Sequence, residues 1–291
     1  MTPGLIAQVA IGGLLLGLIY ALVAAGLSLI FGLMDVVNFA HGQLLMLAMY
    51  AVFEIHQAFG LDPLVQLPLV AALLFLIGVA IYRGLISRAL GVRFNTGMVQ
   101  VFVTFGLSIF LVGAAQLAFG SDFRSITDGV LYGRTVSMGA IVLPLSQLAA
   151  GLVCLVAFAA LMLISRTEFG RALEATREDR DAVALIGIDR DRIFSLGWGI
   201  GAAAVGIAGV MLATFYYISP TVGDNFALIA YVTVALGGFG SLIGALVAGL
   251  LIGLVEAMTA LFFDPALKQV GIFAIYVLVL MVRPRGLFGR L

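Results

Sequence analysis

The chain has 291 residues, 63% of them hydrophobic and only 10% charged, and its formal net charge is zero. With a mean hydropathy of +1.20, this composition excludes a soluble domain, gives no sign of nucleic-acid binding and predicts a polytopic membrane protein. The single cysteine, Cys154, lies in an apolar run, so no intrachain disulfide or cysteine-based metal site is available and the residue reads as a small buried hydrophobe.

Crossing about 30 Å of hydrocarbon takes roughly 20 apolar residues. Residues 5–31 supply the first such run. No Lys or Arg precedes Arg83, so this run lacks the basic start of a cleavable signal and reads as a retained span. A polar interruption follows from Met34 to Gly42, containing Asp35, Asn38 and His41. A second run extends to about Phe53 and a third covers 64–82. The loop between them carries Glu54, His56 and Asp62 but no Lys or Arg, and is expected outside. Arg83, Arg88 and Arg93 place residues 83–97 in the cytoplasm. The fourth run is 98–119, followed by a mixed outward loop at 120–137 whose Gly, Ser and Asp predict turns. The fifth run is 145–164.

Then comes a charged island. Residues 166–192 hold thirteen of the chain's thirty charged residues. A central Arg or Asp in hydrocarbon costs roughly 2.5–3.5 kcal/mol on insertion scales, so the island lies in water, and its six Arg mark that water as cytoplasm. Ser165-x-x-Glu168 has the form of a capping box. Apolar positions Phe169, Ala172, Leu173, Thr176, Val183 and Ile186 recur at roughly helical spacing. Residues 166–193 are therefore expected to be a structured cytoplasmic loop within a single transmembrane domain spanning 1–291.

The sixth run is 194–216, with a short outward loop at Ser219–Asp224. Residues 226–236 are too few to span alone. Gly237-Gly238-Phe239-Gly240-Ser241 interrupts them, 242–262 continues, and 269–282 completes the series before Arg283, Arg285 and Arg290. The predicted fold is all-α and polytopic. It has about 8–9 transmembrane helices with broken or re-entrant segments, the N-terminus outside and the C-terminus cytoplasmic.

Two interruptions carry candidate chemistry. Non-helical backbone at membrane depth is tolerated only where protein or a water-filled cavity covers it. Asn38, His41 and Gln43 would supply donors and acceptors to such a cavity. The alternative is a short turn in which Asp35 and Asn38 cap the next helix. The Gly237–Ser241 stretch reads best as a hinge or tight turn. It lacks the Gly-Lys-Ser/Thr ending of a phosphate loop, and Ser241 has only His41 and His56 in the chain to partner it in catalysis. Each half thus has an apolar run broken by a short polar or glycine-rich element, the pattern from which transporters build midplane sites. Glu256, inside an apolar run, is either a functional intramembrane carboxylate or a structural hydrogen-bond partner for a neighbouring helix. Glu178, Asp179 and Asp181 alternate with Arg177 and Arg180, which fits ion pairing on a solvated helix. No metal-ligand set and no cofactor motif are present.

Several stretches together resemble the permease subunits of ABC importers for branched-chain amino acids, most closely the LivH type. They are Gly17-Leu-Ile-Tyr20 and Gly26-Leu-Ser-Leu-Ile-Phe-Gly32, then Val37-Asn38-Phe39-Ala40-His41-Gly42 and Thr104-Phe105-Gly106-Leu107-Ser108. Gly170-Arg171-Ala172-Leu173-Glu174-Ala175-Thr176 follows, then Leu236-Gly237-Gly238-Phe239-Gly240-Ser241 and the terminal Arg283-Pro284-x-Gly286-Leu287-Phe288-Gly289. The resemblance implies a non-catalytic permease in a bacterial inner membrane. Its partners would be a second permease subunit or a second copy, two ATP-binding subunits and a periplasmic substrate-binding protein. Together with the two interruptions and the intramembrane carboxylate, the expected translocation path involves Asn38, His41, Gln43, Gly237, Gly238, Gly240, Ser241 and Glu256. The resemblance also implies ATPase coupling through Arg171, Glu174, Ala175, Thr176, Asp179, Ala182 and Gly187. Two features depart from the pattern: Thr176 replaces the second Ala of the wider Glu-Ala-Ala coupling signature, with Gly187 placed late, and Arg83-Gly-Leu-Ile replaces Arg-Pro-Leu-Arg. Urea or short amides are alternative cargoes. A self-sufficient ion-coupled carrier or channel would need charged groups at the midplane, where the spans offer Glu256 alone.

Overall fold

In the computed structural model, residues 2–34, 37–90, 96–139, 141–178, 182–185 and 187–289 are described. Asp35, Arg93, Asp179–Asp181, Ile186 and Arg290 lie outside them. The helices are α1 (Pro3–Met34), α2 (His41–Phe59), α3 (Pro63–Ile81), α4 (Ser87–Leu90), α5 (Thr96–Phe119), α6 (Leu145–Ser165), α7 (Glu168–Glu178), α8 (Ala182–Leu185), α9 (Arg190–Leu212), α10 (Val222–Gly237), α11 (Leu242–Phe262) and α12 (Lys268–Val282). A π-helical turn, Tyr82–Ile86, joins α3 to α4 without a break. A short hairpin of β1 (Thr135–Met138) and β2 (Ile141–Pro144) precedes α6.

Seven of these segments are long and apolar enough to cross a membrane: Pro3–Met34, Pro63–Leu90, Gly97–Phe119, Leu145–Ser165, Arg190–Leu212, Leu242–Phe262 and Pro265–Val282. The chain is thus an all-α, multi-pass membrane protein. The remaining two long helices, α2 and α10, are the pieces that the interrupted runs foreshadow. Polar residues dilute α2, and α10 has only 16 residues. Local signals set the helix ends. Gly60, at φ 65°, stops α2, and the Asp62 side chain accepts from Leu64 N with Pro63 at the first helical position. Asp189 caps α9 and Ser241 caps α11.

The predicted capping box at Ser165 is displaced by two residues. α6 runs through Ser165, whose hydroxyl donates back to Met162 O. Thr167 then stands before α7 and accepts from Gly170 N at 3.4 Å. The physical reason is that the apolar run keeps its helix to the last residue of the span, so the cap falls after the turn.

α1 and α9 form the centre. About 67% and 72% of their most apolar windows are buried, against 17% for α5 and 11% for α12, so the first two helices are core and the last two lie at the flank. Lipid offers no hydrophobic drive between helices, so close backbone approach must supply the packing energy. Glycines allow it. A Cβ built on Gly249 of α11 would lie 2.6 Å from Ala21 N of α1, and one on Gly17 would lie 2.8 Å from Gly249 O. On the other side of α1, Gly26 meets Gly201 of α9 in the same way, at 2.7 Å from its carbonyl.

This geometry separates two kinds of glycine. Gly249→Val in α11 drives a side chain into the α1 backbone, at a cost of about 1–3 kcal/mol or more. It is expected to lower the melting midpoint of the detergent-purified protein or to abolish its folded yield. Gly113→Ala in α5, where nothing lies within 4 Å, is expected to leave the midpoint unchanged or raise it. Equal effects from the two would remove the packing role assigned to Gly249.

Candidate functional site

α2 does not begin at the end of α1. His41, its first residue, is fully buried, and its Nε2–H donates to Val23 O at 2.9 Å. Val23 lies about 16 Å along α1 from Met34, at 1.5 Å per residue. The chain therefore turns back into the bundle before α2 starts. The returning backbone is covered by protein groups: Asn38 Oδ1 accepts from Ala40 N at 3.0 Å, and the Tyr231 hydroxyl donates to the carbonyls of Asn38 and Phe39 at 3.3 and 3.2 Å. Asn38 thus forms a local turn ahead of α2, while its buried Nδ2 has no hydrogen-bond partner among the described residues.

α10 does the same from the opposite direction. Residues after α9 pair Ile218 with Arg124 through both backbone hydrogen bonds (2.9 and 2.8 Å). The chain then runs inward to Val222. The first turns of α2 and α10 meet there: Gly42 packs against the Gly223 carbonyl, so closely that neither position has room for a Cβ. Gln43 Nε2–H donates to Asp224 Oδ1 at 2.7 Å and to Ser108 Oγ of α5 at 2.9 Å. Ser108 is near the middle of α5, about 16–18 Å from either end, so the junction lies near mid-depth. Below it on α5, Thr104 and Gln100 are buried, with Thr104 donating to the Gln100 carbonyl at 3.0 Å. Phe39, Phe105 and Tyr231 form an aromatic cluster beside it, with ring centroids 5.6 and 6.3 Å apart.

Asp224 was expected in an outward loop. It is instead in the first turn of α10, and although bonded to Gln43 its residue is exposed on the flank of the bundle. Its position follows from α10 being too short to span: the polar segment before it must dip inward. That shortness was the one signal in the sequence. Asn38, His41 and Gln43 are brought together here.

Gly237, Gly238, Gly240 and Ser241 are elsewhere. They form the tight turn between α10 and α11 at the end of the bundle where α7 lies, with Gly238 and Gly240 at φ 100° and 76°. The carbonyls of Leu236 and Gly237 accept from Leu287 N and Phe288 N (2.8 and 3.0 Å), so the C-terminal tail clamps this turn. Glu256 is also apart from the junction. It is buried, accepts from the Tyr20 hydroxyl at 2.6 Å and pairs with Lys268 Nζ at 3.1 Å. It borders a cavity of about 410 Å³ together with Gln147 and Tyr216.

Of the charged island, α7 packs one face on the bundle through buried Gly170 and Thr176, the latter donating to Ala172 O at 2.7 Å. Gly170 sits directly against the Ser165 carbonyl, so that only a glycine lets α7 fold back under α6. Arg171 and Glu174 are exposed, Ala175 is half-buried, and Arg171 makes a loose contact of 3.8 Å with Glu168. Ala182 opens the single turn α8, and Gly187, at φ 80°, follows it. Leu185, which no motif in the sequence marks, is 89% exposed in α8.

At the opposite end Arg124 binds Glu54 at 2.7 Å and the Phe119 carbonyl at 2.6 Å. It also lies over the rings of Tyr50, Phe53 and Phe119. His56 contacts Asp128 at 2.8 Å.

The family described as the branched-chain amino acid transport system permease component matches residues 9–281. The chain is 32% identical to the high-affinity branched-chain amino acid transport system permease protein BraD of Pseudomonas aeruginosa, over 97% of this chain and 95% of that one. It is 34% identical to the corresponding permease protein LivH of Escherichia coli K12, over 96% and 94%. A shorter match, 34% over 125 residues, covers 42% of this chain and 29% of the permease protein LivM of the same organism. No solved structure matches.

The Glu256 contacts generate a stability test. Glu256→Leu leaves Lys268 and the Tyr20 hydroxyl without their shared partner, a loss of about 1–3 kcal/mol, and is expected to lower the melting midpoint in detergent. Adding Lys268→Met to it should recover part of the loss, because two apolar groups replace one stranded charge. Additive losses in the double variant would show that the two side chains do not act as a pair.

Proposed function

Because the chain belongs to the branched-chain amino acid transport permease family, we propose that it forms one half of the translocation path of an ATP-driven importer in a bacterial inner membrane, carrying branched-chain amino acids inward. The observation that carries this reading is the mid-depth junction, where the first turns of α2 and α10 meet beside an exposed Asp224. An acidic side chain facing lipid at that depth costs roughly 2.5–3.5 kcal/mol on insertion scales. A second permease subunit covering the α5–α10 flank, with a hydrated path between the two, removes that cost. The weak burial of α5 supports the same arrangement.

The junction has the chemistry an aliphatic zwitterion needs. Helix N-termini carry about half a positive charge each and attract the α-carboxylate. Asp224 attracts the ammonium group. Phe39, Phe105 and Tyr231 give the side chain an apolar surface. Asn38, His41 and Gln43 set the junction's geometry, and each holds a buried polar atom with no partner among the described residues. Glu256, held by Tyr20 and Lys268, acts as a brace for α11 on α1 and α12.

The chain carries no nucleotide-binding motif, so energy must arrive from ATP-binding partners. The α7–α8 island is the natural receiver. Its exposed groups are Arg171, Glu174 and Leu185, with Ala175, Thr176, Ala182 and Gly187 shaping its course and Asp179 between α7 and α8 in sequence. Its inner face is wedged under α6 and against α1 and α9. A periplasmic binding protein would deliver cargo to the Arg124 end.

Two measurements test this. In cells that depend on the system for leucine uptake, Asn38→Leu is expected to abolish uptake without loss of membrane insertion. Asp224→Asn removes one charge-assisted contact, about 1.5–3 kcal/mol, and should weaken uptake by about tenfold or more. Wild-type uptake in both variants would rule out the junction. The second measurement replaces Glu174 and Asp179 with Lys. In the complex purified with its ATP-binding subunits, ATP hydrolysis is expected to continue while uptake falls. Uptake at normal ATP stoichiometry would move the coupling surface elsewhere. If the chain instead moved leucine through liposomes alone and without ATP, it would be a carrier.

A further inference from the structure

We infer that a second site for a branched-chain amino acid lies beneath α7, on the release side of the membrane. It takes the transported product rather than the incoming cargo. This inference rests on the amino-acid reading above and concerns a different part of the molecule.

A cavity of about 280 Å³ separates α7 from the turn between α10 and α11. That is near the lower end of the range for small-molecule sites, about 300–1,000 Å³, and too small for a nucleotide. Leu29, Leu173, Phe239, Leu242 and Phe288 give it an apolar lining. It also holds the groups that a zwitterion requires. Arg177 of α7 reaches over Gly240, whose missing side chain makes room for the guanidinium: a Cβ there would lie 2.8 Å from both terminal nitrogens. Arg177 has no hydrogen-bond or ion-pair partner among the described residues. Glu174, one turn earlier, also lines the cavity. A carboxylate at Arg177, an ammonium at Glu174 and an aliphatic side chain against Leu29 and Phe239 match this lining.

The cavity also joins two elements that the proposed cycle must move relative to each other. Its roof is the coupling helix and its floor is the turn at Phe239–Ser241 with Phe288 of the tail. An occupant would tie roof to floor. Product accumulating on this side is therefore expected to slow the transporter, a brake set by the cytoplasmic level of its own cargo.

The test is direct binding of radiolabelled leucine to the full chain in lipid nanodiscs. Wild type is expected to bind, with leucinamide and inorganic phosphate competing poorly, because neither supplies both an α-carboxylate and an ammonium group. Arg177→Gln should weaken binding by about tenfold or more, the loss of one charge-assisted contact. Arg177→Lys should retain most of it, which also shows that the variant position tolerates change. Each variant is also measured in an Asp224→Asn background, where the junction binds more weakly, so that the Arg177-dependent part of the bound leucine is read separately. Equal binding by wild type and Arg177→Gln, no leucine binding at all, or displacement by phosphate as effective as by leucine would each overturn the site. Uptake in cells separates the two readings. If uptake of leucine is intact and Arg177→Gln binds like wild type, the cavity assignment fails alone. If no amino acid is taken up, the transport reading fails and the binding result still decides the cavity. In proteoliposomes of the native complex, preloading leucine on the α7 side should slow uptake in wild type and slow it less in Arg177→Gln. Equal slowing would overturn the brake.

Discussion

Everything in this molecule depends on satisfying a broken backbone in the middle of a membrane. Chain that leaves a helix inside hydrocarbon exposes N–H and C=O groups that lipid cannot bond. This protein interrupts its backbone at depth twice, before α2 and before α10. At the first break the amide oxygen of Asn38 accepts from Ala40 N and the Tyr231 hydroxyl reaches two successive carbonyls, while the His41 imidazole pins the start of α2 to the Val23 carbonyl of α1. The two breaks also support each other, because Gly42 and Gly223 let the helix starts touch. Remove any of these and the others lose their reason to be polar. The central helices α1 and α9 then matter as the wall against which the broken pieces are held.

The same constraint divides the molecule into parts with different freedom. Where glycines interleave, as between α1 and α11, backbones approach to distances at which sliding meets hard repulsion. Those contacts make a rigid frame. α7 is attached differently, through one face of a short amphipathic helix and the single tight fold at Gly170. Beneath it lies empty space rather than packed side chains. An element with few buried contacts and a void on one side is the one that can shift at low cost. It is also the one that displays charge to the aqueous phase.

Much of the architecture was legible in the sequence, and for a physical reason. Hydrocarbon thickness fixes span length, so apolar runs at 98–119, 145–164 and 242–262 locate helices whose observed bounds differ by two residues or fewer. Interruptions rich in Gly and Asn were equally visible. Depth was not. The polar residues 219–224 read as an outer loop because hydropathy does not reveal whether a loop lies on the surface or folds inward. The inward position of Asp224 therefore left no signal, and neither did the contacts of Glu256, whose partners Tyr20 and Lys268 lie 236 and 12 positions away. Such pairings are set by helix packing, which a periodic pattern does not encode. The capping signal at Ser165 erred for a related reason. The motif is local, while the end of α6 is decided by how far the span continues.

One consequence of the α2–α10 junction concerns what must not pass. A bacterial membrane stores energy as a voltage and a proton gradient, and any hydrated path through it threatens both. Two helix starts converge at mid-depth, each bearing about half a positive charge, and Asp224 stands against them with one negative charge. The sum is close to zero, arranged as separated poles. A proton or sodium ion arriving alone meets repulsion from the helix ends that offsets its attraction to the carboxylate. An anion meets the reverse. A molecule carrying both charges gains at both poles. On the proposed path, this arrangement would let a leak-proof membrane contain a route for a polar solute, with selectivity against bare ions written into backbone direction rather than into a gate.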